Sequence, residues 1–341
     1  MTTRDIGDLR NLAKDAARRA VRRLLANSIA GTILRRQALR DDPITVLVYH
    51  TLGADDEDMD AWTVLRMGDF ERQVAFLQEH YEIITLDGAI AGQPSTTGRP
   101  RIVITFDDGD VGLYTHLLPF VERVCVPVTV YVATRQIEKG RPYWFDRILN
   151  AVQTSIPVTI DLDAEGLGRW AVAAHRGSAN WTPISELLEM LKNVDPPRRE
   201  RVADAIVAQT GGVARREITP LAPLSLDQLR ALAASRWITI AAHTHCHSLL
   251  DQMPLADALE SIDLSRQRLQ DWTGAAADHF AYPNGNHNEA IARGIEAMNF
   301  RSATIVGNRL WDGRSRPFML PRVPIGRYDD LDRFKLRLVG V

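Results

Sequence analysis

The sequence predicts an α/β fold: a distorted (β/α) barrel with an inserted subdomain and an N-terminal helix. Three observations carry the prediction. Short runs rich in β-branched residues at 46–49, 81–85, 101–106 and 237–242 alternate with helical patterns, as β-α-β units do. At 341 residues, 45% hydrophobic and 25% charged, the chain can bury roughly three quarters of its extended surface, enough for one barrel and an insertion. Between about 140 and 223 the alternation gives way to hairpin and helix signals. The expected organisation is therefore a basic amphipathic helix at 1–40 and a barrel at 41–341, interrupted at about 140–223.

Residues 1–40 hold ten Lys or Arg against three Asp, a balance of +7, so the remainder carries −9 within the chain's total of −2. Leu9, Leu12, Ala16, Ala20, Leu24 and Ile33 recur at near-helical intervals among Arg18, Arg19, Arg22 and Arg23. Such a helix suits peripheral contact with a membrane surface, and equally an ordinary helix capping the barrel. A secretory signal does not fit, because Asn27, Ser28 and Gly31 interrupt the apolar stretch and Arg35-Arg36 ends it.

The run 46–49 reads as the first strand, ending at His50. A helix follows at 69–80, with Asp69 as N-cap and Phe70, Val74 and Leu77 inward; a strand returns at 81–85. The acidic run Asp55-Asp56-Glu57-Asp58 reads as a solvated loop, or more weakly as an attractor of cationic amino sugars. The longest apolar stretch, 124–134, is too short to span a bilayer and reads as a strand containing Cys125. In the insertion, 158–162 and 169–172 suggest a hairpin, and Thr182-Pro183 and Asp195-Pro196 open two helices. Ser225-x-x-Gln228 is a capping box that starts the helix returning to the strand at 237–242. Only Cys125 and Cys246 are present, which favours a reducing compartment over a disulfide framework, hence a cytoplasmic protein, peripheral at the inner membrane face if the basic helix binds there.

Two segments carry the chemistry. Thr105-Phe106-Asp107-Asp108-Gly109 and His243-Thr244-His245-Cys246-His247 each close a predicted buried strand, and strand ends on one rim of a barrel are where sites are built. Imidazole nitrogens and a carboxylate suit a borderline-soft divalent ion, zinc foremost, with a position left open for water. One of the two acids can bind the ion while the other, as general base, takes a proton from the water it activates. Alone, two acids before a glycine are a common turn, and a His-x-x-x-His pair is often a solvated arrangement. Their joint occurrence at strand ends argues for a metal-assisted hydrolase.

These segments resemble those of the polysaccharide deacetylases of the NodB-homology type, carbohydrate esterase family 4. The resemblance extends to Val46-Leu47-Val48-Tyr49-His50, Phe280-Ala281-Tyr282-Pro283-Asn284-Gly285 and Leu320-Pro321-Arg322, and covers about residues 44–327. It implies a NodB-type barrel in which Asp107 is the base, Asp108, His243 and His247 are the metal ligands, and Thr244 steadies the loop. It implies hydrolysis of an N-acetyl group from an amino sugar in a polysaccharide or a lipid-linked glycan precursor, with no nucleic acid as partner. An oxyanion would be held by the ion and a backbone N–H near Asn284.

The chain departs from the family at two places. Ala281 stands where many members carry an arginine that orients the base, and no histidine follows His287, so the C-terminal Leu-x-His acid is missing. His50, at the end of the first strand, is the expected general acid; His287 is the rival. The alternatives are removal of an O-acetyl or formyl group at the same metal site, and a non-catalytic glycan-binding module. Trp144 is the expected sugar platform, with Trp170 and Trp181 in packing roles.

Overall fold

The computed structural model describes residues 20–28, 33, 35, 37–154, 157–172, 178–210 and 219–339; the side chains of 154 and 178–182 are outside the description. Residues 1–19, which hold most of the predicted basic helix, lie outside it too.

The strands are β1 (Thr45–Tyr49), β2 (Thr51–Gly53), β3 (Val64–Arg66), β4 (Glu82–Ile83), β5 (Arg101–Phe106) and β6 (Val128–Val132), then β7 (Val158–Asp161) and β8 (Arg169–Val172). The last four are β9 (Ile238–Ala242), β10 (His279–Ala281), β11 (Ser302–Val306) and β12 (Leu320–Pro324). Seven of them close a parallel ring in the order β1-β12-β11-β10-β9-β6-β5, sealed where β5 returns to β1. The distortion sits at β5. Its first residues pair with β4 and its last with β6, so β4 hangs outside the ring as a spur.

Because successive side chains point to opposite faces, each strand feeds two layers. Val46, Val103, Tyr131, Ala241, Ala281 and Leu320 fill the interior of the ring. Leu47, Tyr49, Ile102, Ile104, Phe106, Val130 and Ala242 face the surrounding helices. The same parity directs Thr105, Asp107, His243, Arg322 and His50 towards the interior, which is what sets up the site.

The outer helices include Met67–His80, Leu226–Ala233, Leu255–Thr273 and Glu289–Ala297. Phe70, Val74 and Leu77 of the first are buried as expected, and Ser225 and Gln228 form the expected capping box. Asp69 is not an N-cap: the helix begins two residues earlier, Asp55 accepts the Gly68 N–H at 2.7 Å, and Asp69 pairs with Arg72. The predicted strand at 81–85 shrinks to β4 because Thr85 already caps the next helix. The apolar stretch 124–134 is strand only at β6; Val124 ends the helix Leu118–Val124, and Cys125 closes it in the left-handed region with its thiol exposed.

Residues between β6 and β9 build a second core on Trp144, Ile148, Leu187, Leu191, Val202 and Ile206. The hairpin is β7–β8, and Asp195 caps the helix Pro196–Gln209. The preceding helix starts at Ser178, ahead of the expected Thr182, and carries Pro183 inside.

Candidate active site

The two chemical segments meet at the C-terminal mouth of the ring. Asp108 Oδ1 lies 3.1 Å from His247 Nε2 and 3.5 Å from His243 Nε2. These three donors lie within 4.8 Å of one another. Strand parity alone would turn Asp108 away from Asp107. A left-handed backbone at Asp108 (φ 76°), continued at Gly109 (φ 92°), lets consecutive carboxylates face one space. Thr244 (φ 63°), His247 (φ 54°) and Asn284 (φ 57°) share this unusual conformation around the mouth, where strained backbone typically marks function.

Neighbours orient the imidazoles. His243 Nδ1 is 2.7 Å from the Ala281 carbonyl. A carbonyl only accepts, so Nδ1 carries the proton and Nε2 is left for the site. Thus the residue standing in place of the expected arginine contributes its backbone oxygen. The His247 N–H donates to Thr244 Oγ1 at 2.9 Å, and the His247 ring packs on Tyr143 and Phe145. Tyr143 Oη donates to the Asp108 carbonyl at 3.0 Å. Trp144 itself is buried in the second core under Arg199, so the platform expectation is corrected: its neighbours reach the site and it does not. Trp170 packs in that core as well.

Asp107 is clamped. Arg322 makes two parallel bonds to it, at 2.6 and 2.7 Å, and a third to Thr105 Oγ1 at 3.0 Å. The guanidinium is fully buried, with its carbon 5.2 Å from the centre of the Tyr131 ring. Sequence reasoning missed this arginine because it looked beside Pro283. The signal was present in Leu320-Pro321-Arg322, where parity on a buried strand turns Arg322 inward.

The charges follow from burial and contact. Burial pushes the Asp107 carboxyl up, but Arg322 and His243 outweigh it, so the net direction is below the usual carboxylate range. Burial likewise opposes ionisation of Asp108, yet the two histidines hold it well below. Burial pulls His243 down, and Asp107 and Asp108 more than reverse it, so its pKa is raised. An ion entering the site would therefore compete with a proton, and its affinity would weaken as pH falls. Burial lowers His50, against the pull of Asp108 and Asp107. Its Nδ1 is buried without a hydrogen-bond partner among the described residues, and its ring meets Trp62 edge-on at 4.7 Å.

The other expectations separate cleanly. His287 Nδ1 is tied to the Gly285 carbonyl at 2.8 Å, and its ring packs near Tyr282. His245 turns away to Thr134, and the Cys246 thiol lies against Ser248 and Ser261. In the Asn284 turn, the Gly285 and Asn286 N–H groups are committed to the Tyr282 and Pro283 carbonyls.

The fold is shared with solved structures at low identity. A Streptococcus pyogenes deacetylase, PplD, solved with acetate, aligns with a TM-score of 0.56 at 14% identity over 87% of this chain and 98% of that one. A de-N-acetylase from Aggregatibacter actinomycetemcomitans gives 0.55 at 13% over 86% and 99%. IcaB from Ammonifex degensii gives 0.53 at 15% over 87% and 97%. No curated protein matches the chain in sequence. The family model described as polysaccharide deacetylase, however, matches residues 95–171 and 197–303, which is more than half of the chain and includes both segments that converge at the mouth. The chain thus belongs to the polysaccharide deacetylase family.

Proposed function

We propose that the protein removes an N-acetyl group from an amino sugar in a polysaccharide or glycan precursor, using a divalent ion, zinc by its donor set. The carrying observation is the buried Asp108 Oδ1, which has no well-formed hydrogen bond yet faces two imidazole nitrogens, beside a second carboxylate held ionised by Arg322. One carboxylate and two imidazoles suit zinc and leave room for further ligands. Asp108, His243 and His247 would hold the ion. Bound there, it would polarise the amide carbonyl and favour ionisation of water.

The chain's own residues supply the remaining steps. Asp107, ionised and fixed by two bonds, takes the proton of the attacking water. Arg322 holds that carboxylate by both oxygens and would keep it from turning onto the ion. The Asn284 N–H stands by for the developing oxyanion, and His50 hands a proton to the departing amine. A non-catalytic module would draw on the missing arginine and the missing C-terminal histidine; Arg322 supplies a guanidinium to Asp107 and so removes the first of these grounds, which favours the enzyme reading. Bound-metal analysis together with acetate release from N-acetylated and O-acetylated glycans tests it. One ion per chain with release from the N-acetyl series supports the proposal; release from the O-acetyl series alone, or no metal, refutes it.

The acid assignment has its own test. His50→Ala keeps the metal and lowers turnover by about two to four orders of magnitude, the contribution typical of a general acid. Because burial lowers the His50 pKa, the basic limb of the wild-type rate profile falls below that of an ordinary histidine, and the variant loses this limb. Normal turnover in His50→Ala with loss in His287→Ala would transfer the role.

We further propose that the basic N-terminal segment rests on an anionic membrane surface. Val21, Leu24 and Ile33 are 54%, 70% and 57% exposed, whereas Asn27 anchors the segment to Asp332 and Lys335. Arg35 and Leu39 pack against the barrel, so a truncation of residues 1–24 spares those contacts. It is expected to abolish sedimentation with anionic vesicles and leave acetate release from a soluble glycan intact. Equal sedimentation of both proteins, or none by the full chain, contradicts the idea. Among the described residues no helix is long and apolar enough to cross a membrane.

A further inference from the structure

We propose that Trp62 and Tyr328 form a sugar subsite beside His50, seating a second pyranose of an amino-sugar chain next to the one that reacts; this rests on the glycan reading above. Trp and Tyr are enriched on binding surfaces because each presents an apolar face with a polar tip. Trp62 is 44% exposed and Tyr328 48% exposed. Trp62 is joined to the candidate site by its edge contact with His50.

Both rings are held in place. The Trp62 carbonyl accepts the Arg327 N–H at 2.8 Å. Tyr328 Oη donates to Asp60 Oδ1 at 2.5 Å, and Asp60 is fixed in turn by Gln153, which bonds its N–H at 2.6 Å and its carbonyl at 3.2 Å. The loop before Tyr328 can pass the indole only because residue 326 is glycine: a Cβ there would stand 2.5 Å from the Trp62 carbonyl oxygen and 2.9 Å from Cε3. A platform ordered before its ligand arrives loses little entropy on binding. Stacking an indole on the C–H face of a pyranose needs that rigidity.

Charge selects the occupant. The loop leading to Trp62 carries Asp55, Asp56, Glu57, Asp58 and Asp60. It is not the simple solvated loop that the sequence suggests: Asp55 caps Gly68, and Glu57 is buried and accepts the Met59 N–H. Arg327, 3.7 Å from Asp60, offsets part of this charge; the exposed Asp55 and Asp56 leave the outer side of the loop acidic, which favours a glycan bearing the free amines that deacetylation leaves over an anionic lipid surface.

The test uses the metal-loaded full chain and N-acetylglucosamine monomer and trimers in β-1,4 and β-1,6 linkage. Trp62→Ala is expected to cut the ratio of trimer to monomer kcat/KM about tenfold, mainly through the trimer KM, and Trp62→Phe to restore most of it. A ratio like that of the wild type, with kcat lowered equally for both lengths, would make Trp62 a mere support for His50 and overturn the subsite. Calorimetry of trimer binding separates the two readings. If no sugar releases acetate but the trimer binds the wild type and not Trp62→Ala, the proposed activity fails and the subsite stands. If acetate is released and trimer binding ignores Trp62, the subsite fails.

Discussion

Asp107→Asn is expected to retain its metal and lose about four orders of magnitude in turnover, the upper end of what a general base contributes. The amide is nearly isosteric and can still accept from Arg322, so the fold and the three ligands stay in place. What disappears is the acceptor for the water's proton. Single-turnover acetate release and metal content, measured on one preparation, separate this outcome from the loss of ligands. His243→Ala should lose both quantities together. Near-normal turnover in Asp107→Asn would mean that another group takes the proton.

Arg322→Ala is expected to destabilise the metal-free protein by about 3–5 kcal/mol, because it strands a buried carboxylate without its partner. Arg322→Lys keeps a charge but not the paired donors, and should fall between. The pH dependence gives a sharper reading. In the wild type the lowered Asp107 pKa adds stability that is present above the ordinary carboxylate pKa and is lost as pH falls through the folded value. Without Arg322, burial prevails and that pKa rises. The contribution then reverses: it is present at low pH and lost as pH climbs through the raised value. The acidic limb of the rate profile moves up with it. Denaturant melts of the two proteins from about pH 3 to 7 check this, and parallel curves would show that Arg322 does not control the charge on Asp107.

Much of the frame was legible in the sequence for a simple reason. Buried parallel strands are short β-branched runs, and β5 and β9 end where their chemistry begins, so both strand and site segment could be read locally. The capping box at Ser225 and the hairpin β7–β8 were legible on the same terms. What was not legible depends on contacts between distant segments. Asp69 looks like a cap until the loop carrying Asp55 folds over that helix end. Trp144 looks like an exposed platform until the insertion closes its own core around it. Arg322 sits 215 residues beyond Asp107, and only closure of the ring makes them partners. Its inward direction followed from parity, but parity does not name the residue opposite. Trp62 escaped notice because nothing in its own segment reports that His50 will lie against it.

The placement of the candidate ligands has a consequence for folding. Asp108 leaves β5 and both histidines leave β9, with β6 lying between them in the ring. Anything that draws these side chains together therefore fastens the barrel wall across a whole strand, after most of the chain has been laid down. A proton can do so, by charging His243 opposite Asp108; an ion bound there would do so too, and its free concentration would then enter the folding equilibrium. The two fasteners exchange rather than add. An ion held by Asp108, His243 and His247 would thus tie β5 to β9 over the intervening β6, so its binding would be felt as stability of the barrel wall.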